Sequence, residues 1–154
     1  MPTAHLRLLV ADRCNLHCSY CHFQASKESR ELMPPGVARE ALRSFAAAAT
    51  ARGESGADLS LYGGEPLLNL PAVEAALDEA AALAAGGFRF RPILNTNGTL
   101  LKPDLASRLA AAGVDVHVSL DGPDEESNGQ RVSLAGRTSW PAVEAGLRNA
   151  RAAG

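Results

Sequence analysis

Residues 5–21 read HLRLLVADRCNLHCSYC. The first seven, HLRLLVA, form the apolar run of a strand, and Asp12-Arg13 ends it just before Cys14, Cys18 and Cys21, the chain's three cysteines. All the sulfur of the thiols thus follows one strand end. Outward from that strand the same beat recurs. Residues 34–52 have the Ala/Leu/Phe spacing of an amphipathic helix closed by Gly53, and DLSLY at 58–62 is the next strand. A helix over 71–85 ends at Gly86-Gly87, and FRFRPILN at 88–95 is the third strand. A helix over 102–112 is capped by Gly113, VDVHVSL at 114–120 is the fourth strand, and a last helix over 140–153 stops at Gly154. Each crossover unit is ~30 residues or more, the length a helix needs to return the chain to a parallel neighbour. This predicts an α/β fold, a parallel sheet or part of a barrel. The polar stretches 26–32 and 123–139 read as loops rather than domain linkers.

Composition bounds the function. A chain of 154 residues that is 46% hydrophobic with a formal net charge of −2 suits one domain with a sizeable core. Acidic and basic residues are balanced and spread along the chain, so no basic stripe points to nucleic acid. Residues 1–7 lack a charged segment followed by an apolar one, and the apolar runs fall far short of the ~20 residues of a membrane span. No export and no membrane partner are expected. Clustered cysteines without a signal peptide argue for a metal or catalytic role in a reducing compartment, hence a cytoplasmic location.

Four polar segments each follow a strand's last apolar residue: Asp12-Arg13-Cys14, Gly63-Gly64-Glu65-Pro66, Asn95-Thr96-Asn97-Gly98 and Ser119-Leu120-Asp121-Gly122. Any one of them could simply be a turn, since Gly, Pro, Asn and Asp make turns after strands. Together they fall on the face where parallel α/β folds keep their sites, the carboxyl ends of the strands. Thiolates hold soft metals, and three of them on a cubane of four irons leave one iron open to a small molecule. The alternatives are a zinc site completed by His17 or His22, and three small buried hydrophobes.

Cys14-x3-Cys18-x2-Cys21 after the first strand, the aromatic Tyr20 before the third cysteine, and Gly63-Gly64-Glu65-Pro66 after the second strand resemble the radical S-adenosylmethionine (SAM) superfamily. Asn95-Thr96-Asn97-Gly98 and Ser119-Leu120-Asp121-Gly122-Pro123 resemble its sulfatase-maturating and peptide-modifying (SPASM-type) branch, which often carries a C-terminal cluster-binding extension. The resemblance covers nearly all of the chain. It implies a parallel (β/α) partial TIM-like barrel of six units, of which four are present, so residues 1–154 are expected to be the N-terminal part of a longer radical SAM core domain.

The resemblance further implies that Cys14, Cys18 and Cys21 ligate a [4Fe–4S] cluster whose unique iron binds the amino and carboxylate groups of SAM. One electron, from a reductant such as flavodoxin or ferredoxin, then cleaves SAM to methionine and a 5′-deoxyadenosyl radical that abstracts hydrogen from a substrate, here expected to be a peptide or protein side chain. Gly63, Gly64 and Glu65 match the motif that receives the methionine amino group. Tyr20 would pack near the adenine. Ser119 and Arg131 fit positions near the SAM carboxylate, with Arg137 the alternative arginine. Ser127-Asn128 departs from the family's frequent His-Asp, and His117, flanked by Val116 and Val118, is given no role. A competing function is a zinc-stabilised, non-catalytic α/β binding module using Cys14, Cys18, Cys21 and His22.

Overall fold

The structure, a computed structural model, describes residues 4–21 and 31–154. Strands β1 (Ala4–Ala11), β2 (Gly56–Gly63), β3 (Arg89–Thr96) and β4 (Asp115–Val118) alternate with helices α1 (Pro35–Ala51), α2 (Leu70–Ala85), α3 (Pro103–Ala111) and α4 (Trp140–Ala153). The strands form one sheet in the order β1-β2-β3-β4, and every neighbouring pair is parallel. This is the α/β architecture of a partial TIM-like barrel, as the repeating units predict.

Proline sets the helix starts. Pro35, Pro71, Pro103 and Pro141 all stand in a first turn, where the missing N–H would have no helical partner anyway. The residue before a proline is pushed out of the α region. Pro34 (ψ 139) and Lys102 (ψ 159) are accordingly extended, and α1 and α3 begin one residue later than the apolar period alone suggests. Leu70 escapes this rule because a 3₁₀ turn over Pro66–Asn69 delivers it already helical (ψ −38).

Strand alternation divides the sheet into two unlike faces. Leu8, Val10, Leu59, Leu61 and Leu94 pack against Leu42, Val73 and Leu109 of the helices in one core. A satellite cluster of Ala46, Ala49, Ala57 and Phe88 seals the lower end of the same side with Phe45 and Phe90, whose rings lie 5.9 Å apart. The opposite face is polar. Arg7 lies over the Tyr62 ring at 5.2 Å, His5 Nε2 meets Ser60 Oγ at 2.8 Å, and Arg91 donates to Asp58 at 2.9 and 3.1 Å. The core side fixes the sheet, and the polar side is free for chemistry. β4 ends at Val118, two residues before the apolar run does. Ser119 N still donates to Thr96 O at 2.9 Å, but Asp121 is drawn away by Asn128, whose Oδ1 accepts from Asp121 N at 3.0 Å.

Candidate active site

The cysteine loop is held from two sides. From β2, Gly64 N donates to Ala11 O and Glu65 N to Arg13 O, both at 2.9 Å. This approach requires glycine: a Cβ on Gly64 would lie 2.4 Å from Arg13 O, and one on Gly63, at φ 154, 2.1 Å from Ala11 O. From the segment after β4, the His17 amide donates to Val132 O at 2.7 Å and the Ser19 amide to Gln130 O at 3.3 Å, while Leu16 and Ser133 form an antiparallel bridge. Loops from the first, second and fourth strands thus meet around the thiols.

A cavity of 360 Å³ opens over these strand ends. Cys14, Cys18, Cys21, Tyr20, Gly63, Gly64, Ser119 and Arg131 line it, which gathers eight of the nine residues the sequence nominates. The ninth, Glu65, is 0% exposed and does not reach it. Its Oε1 accepts from Leu67 N at 3.0 Å and Thr96 Oγ1 at 2.7 Å, and its Oε2 from Asn97 N at 2.7 Å. Burial raises the Glu65 carboxyl above its ordinary range, and these three donors act against that rise. Glu65 is a brace between the loops after β2 and β3. Gly63 and Gly64 are what the motif presents to the cavity. A wider hollow of 1070 Å³ lies at the opposite ends of the strands, where Arg52 pairs with Glu54 and Arg91 with Asp58.

Arg131 is buried, and its Nη1 donates to Tyr20 Oη at 2.7 Å and lies 3.6 Å from Asp121 Oδ1. Tyr20 Oη also donates to Asp121 at 2.7 Å, so the hydroxyl is fixed while the side chain stays 55% exposed. Arg131 Nε is buried with no acceptor among the described residues. Burial pushes the Cys14 and Cys18 thiols above their ordinary value, and the Arg131 charge beside Cys18 opposes the rise there.

Sequence reasoning assigned no role to several residues of this site. Asn97, Asn15 and Thr99 form a closed hydrogen-bonded ring under Cys14. Asn128, where the family often has Asp, holds Asp121 N through Oδ1 and Gly122 O through Nδ2 at 2.9 Å. Arg7 and Tyr62 line the cavity from below. Only the strand period, which places both on the polar face, could have marked those two. His117 sits in register beside Asn95 on the same face.

The donor set fits an iron–sulfur cluster on its own chemistry. Three free, partly exposed thiols surround one cavity, with the guanidinium of the buried Arg131 beside them. Among the described residues no three His, Cys, Asp or Glu side chains converge on a single metal ion, and His22, the fourth ligand of the zinc alternative, lies outside the described residues.

Fold and site together define a radical SAM chain. Residues 8–154 match the Radical SAM superfamily, and the chain belongs to it. That family uses a [4Fe–4S] cluster and SAM. Among particular proteins, the chain is 37% identical over 167 residues to GTP 3′,8-cyclase of Synechococcus sp. (strain CC9902), an alignment covering 99% of this chain and 44% of that one. It is 29% identical over 147 residues to the cysteine-type anaerobic sulfatase-maturating enzyme of Clostridium perfringens (strain 13 / Type A), covering 94% of this chain and 40% of that one. The solved structure of native anSMEcpe with bound AdoMet (SAM) and Cp18Cys peptide matches at a TM-score of 0.81 and 25% identity, covering 99% of this chain and 41% of that one. The chain therefore spans less than half the length of these relatives. No helix among the described residues is long and apolar enough to cross a membrane.

Proposed function

We propose that this chain is the cluster- and SAM-binding part of a radical SAM enzyme, acting on a peptide or protein side chain. The observation that carries the reading is the single cavity that collects all three cysteines with Gly63, Gly64, Ser119 and Arg131. When bound, the cluster supplies the electron that cleaves SAM to methionine and the hydrogen-abstracting 5′-deoxyadenosyl radical.

The chain's own residues then divide the work. Cys14, Cys18 and Cys21 hold the cluster. Backbone carbonyls of Gly63 and Gly64 would receive the methionine ammonium, since these two glycines line the cavity while the Glu65 carboxylate is enclosed by its own donors. Arg131 and Ser119 hold the carboxylate, with Arg131 oriented by Tyr20 and Asp121. The exposed Tyr20 ring offers its face to the adenine. A soluble electron donor of the flavodoxin or ferredoxin kind would deliver the electron.

Support for a peptide substrate is the match to anSMEcpe, whose structure holds the Cp18Cys peptide. A second reading, a nucleotide substrate, is favoured by one observation besides the GTP 3′,8-cyclase relative. Arg7, on the cavity wall, lies over the Tyr62 ring and pairs with no carboxylate among the described residues, which leaves its charge for an anion such as a phosphate. The two readings separate in one assay. Anaerobic protein with SAM and dithionite is given a cysteine- or serine-containing peptide or GTP, and 5′-deoxyadenosine is quantified. Peptide-stimulated release with loss of hydrogen mass from the peptide supports the first reading; release stimulated by GTP alone replaces it with the second.

A further inference from the structure

Asn97 follows β3, yet its amide reaches the first cysteine, 83 residues earlier, with Nδ2 3.7 Å from Cys14 Sγ and 2.9 Å from Asn15 Oδ1. The direction of the amide is set by its other end. Asn97 Oδ1 accepts from Thr99 N at 3.0 Å and from Thr99 Oγ1 at 2.7 Å, and a backbone N–H can only donate, so the NH₂ group must face the sulfur. Asn15 Nδ2 closes the ring by donating to Thr99 Oγ1 at 2.8 Å. The backbone beneath is equally fixed, since Asn97 N donates to Glu65 and Asn97 is buried. Cys14 Sγ also accepts from Leu16 N at 3.4 Å, a bond local to its own loop. Among the described residues neither Cys18 nor Cys21 has a side-chain donor on its sulfur, so the three thiols are not equivalent.

We propose that Asn97 is a positioning residue that donates a hydrogen bond to the Cys14 sulfur and thereby raises the reduction potential of the cluster Cys14 would hold. The inference rests on the cluster assignment made above. A ligated thiolate gains electron density when its cluster is reduced, so a fixed N–H donor stabilises the reduced form more than the oxidised one. Because Thr99 and Asn15 hold the amide in place beforehand, the donor is not spent on reorganisation when the electron arrives.

The test is a redox titration without SAM, on the anaerobically reconstituted 154-residue chain, followed by the electron paramagnetic resonance of the reduced cluster. Asn97→Ala removes the donor, Asn97→Asp points an oxygen at the sulfur, and Asn149→Ala is a remote control whose amide bonds only Leu101 O. Both Asn97 variants should keep wild-type iron content but titrate at more negative potential, Asp further than Ala, while the control stays at the wild-type value. At a fixed poise the reduced-to-oxidised ratio should fall several-fold, each tenfold corresponding to about 59 mV for one electron. If Asn97→Ala loses iron, Thr99→Val decides, since it keeps the Asn97 side chain and the Thr99 N bond that directs it but removes the Thr99 Oγ1 bond that holds the amide still, and a smaller shift in the same negative direction is expected. A cluster with an unshifted potential in these variants overturns the inference alone. A wild-type chain that takes up no [4Fe–4S] cluster overturns it together with the function on which it rests.

Discussion

Glu65 shows how a residue's surroundings give it a structural part beside the one its motif implies. Its place in the Gly-Gly-Glu motif implies a carboxylate that meets the methionine ammonium, but all its donors come from the protein and none of its surface is open. Gln has the same shape, yet its NH₂ must face either Leu67 N or Asn97 N, and one backbone N–H then loses its acceptor. That costs about 1–3 kcal/mol. Glu65→Gln is therefore expected to lower the thermal midpoint by several degrees and to weaken SAM binding as a consequence. Calorimetry and SAM titration on the same preparation check this. An unchanged midpoint with weakened SAM binding would mean that the carboxylate touches SAM directly. The cysteines were legible in the sequence because ligation needs their element and their spacing whatever surrounds them. Asn97 was legible only as part of a polar segment at a strand end, because its contact with Cys14 arises where the loops after β1 and β3 meet.

At the scale of elements, α4 bears on the site through one glycine. Gly146 is buried on the inner face of α4, and a Cβ there would stand 2.1 Å from Gly98 O and 3.0 Å from Gly98 C, both backbone atoms of the loop that carries Asn97. Alanine raises helix propensity by up to about 1 kcal/mol. Overpacking against unyielding backbone costs about 1–3 kcal/mol, and here it outweighs that gain. Gly146→Ala should thus lower the denaturant midpoint, where Gly146 as an ordinary helix defect would give a rise. The helices themselves were legible from their period and their closing glycines. The helix-to-loop contact was not, since Gly inside a helix reads in sequence only as a weak position. The short β4 was likewise hidden, because the apolar run continues through Leu120 while the bonds from Asn128 turn the backbone aside.

The whole molecule divides its labour between the two faces of one sheet. The Leu- and Val-rich face carries the core, and the polar face and strand ends carry the charges, amides and thiols. Four repeating units made the fold readable, since each strand-helix pair repeats the same apolar grammar. The site was readable in outline for the same reason, because every unit delivers its polar motif to the same end. What brings those motifs into register is the lacing of loops: Gly64 to Ala11, Glu65 to Arg13 and Asn97, Val132 to His17 and Arg131 to Tyr20. The central claim is that this lacing makes a cluster site with room for SAM. The most direct measurement is anaerobic reconstitution with iron and sulfide, followed by metal and sulfide analysis and by the paramagnetic resonance of the reduced protein with and without SAM. The account predicts a brown protein with iron and sulfide in the ratio of a [4Fe–4S] cluster, a resonance that changes on adding SAM, and loss of both in Cys14→Ala, Cys18→Ala and Cys21→Ala. A colourless protein holding one zinc, or a cluster that survives all three substitutions, would contradict it.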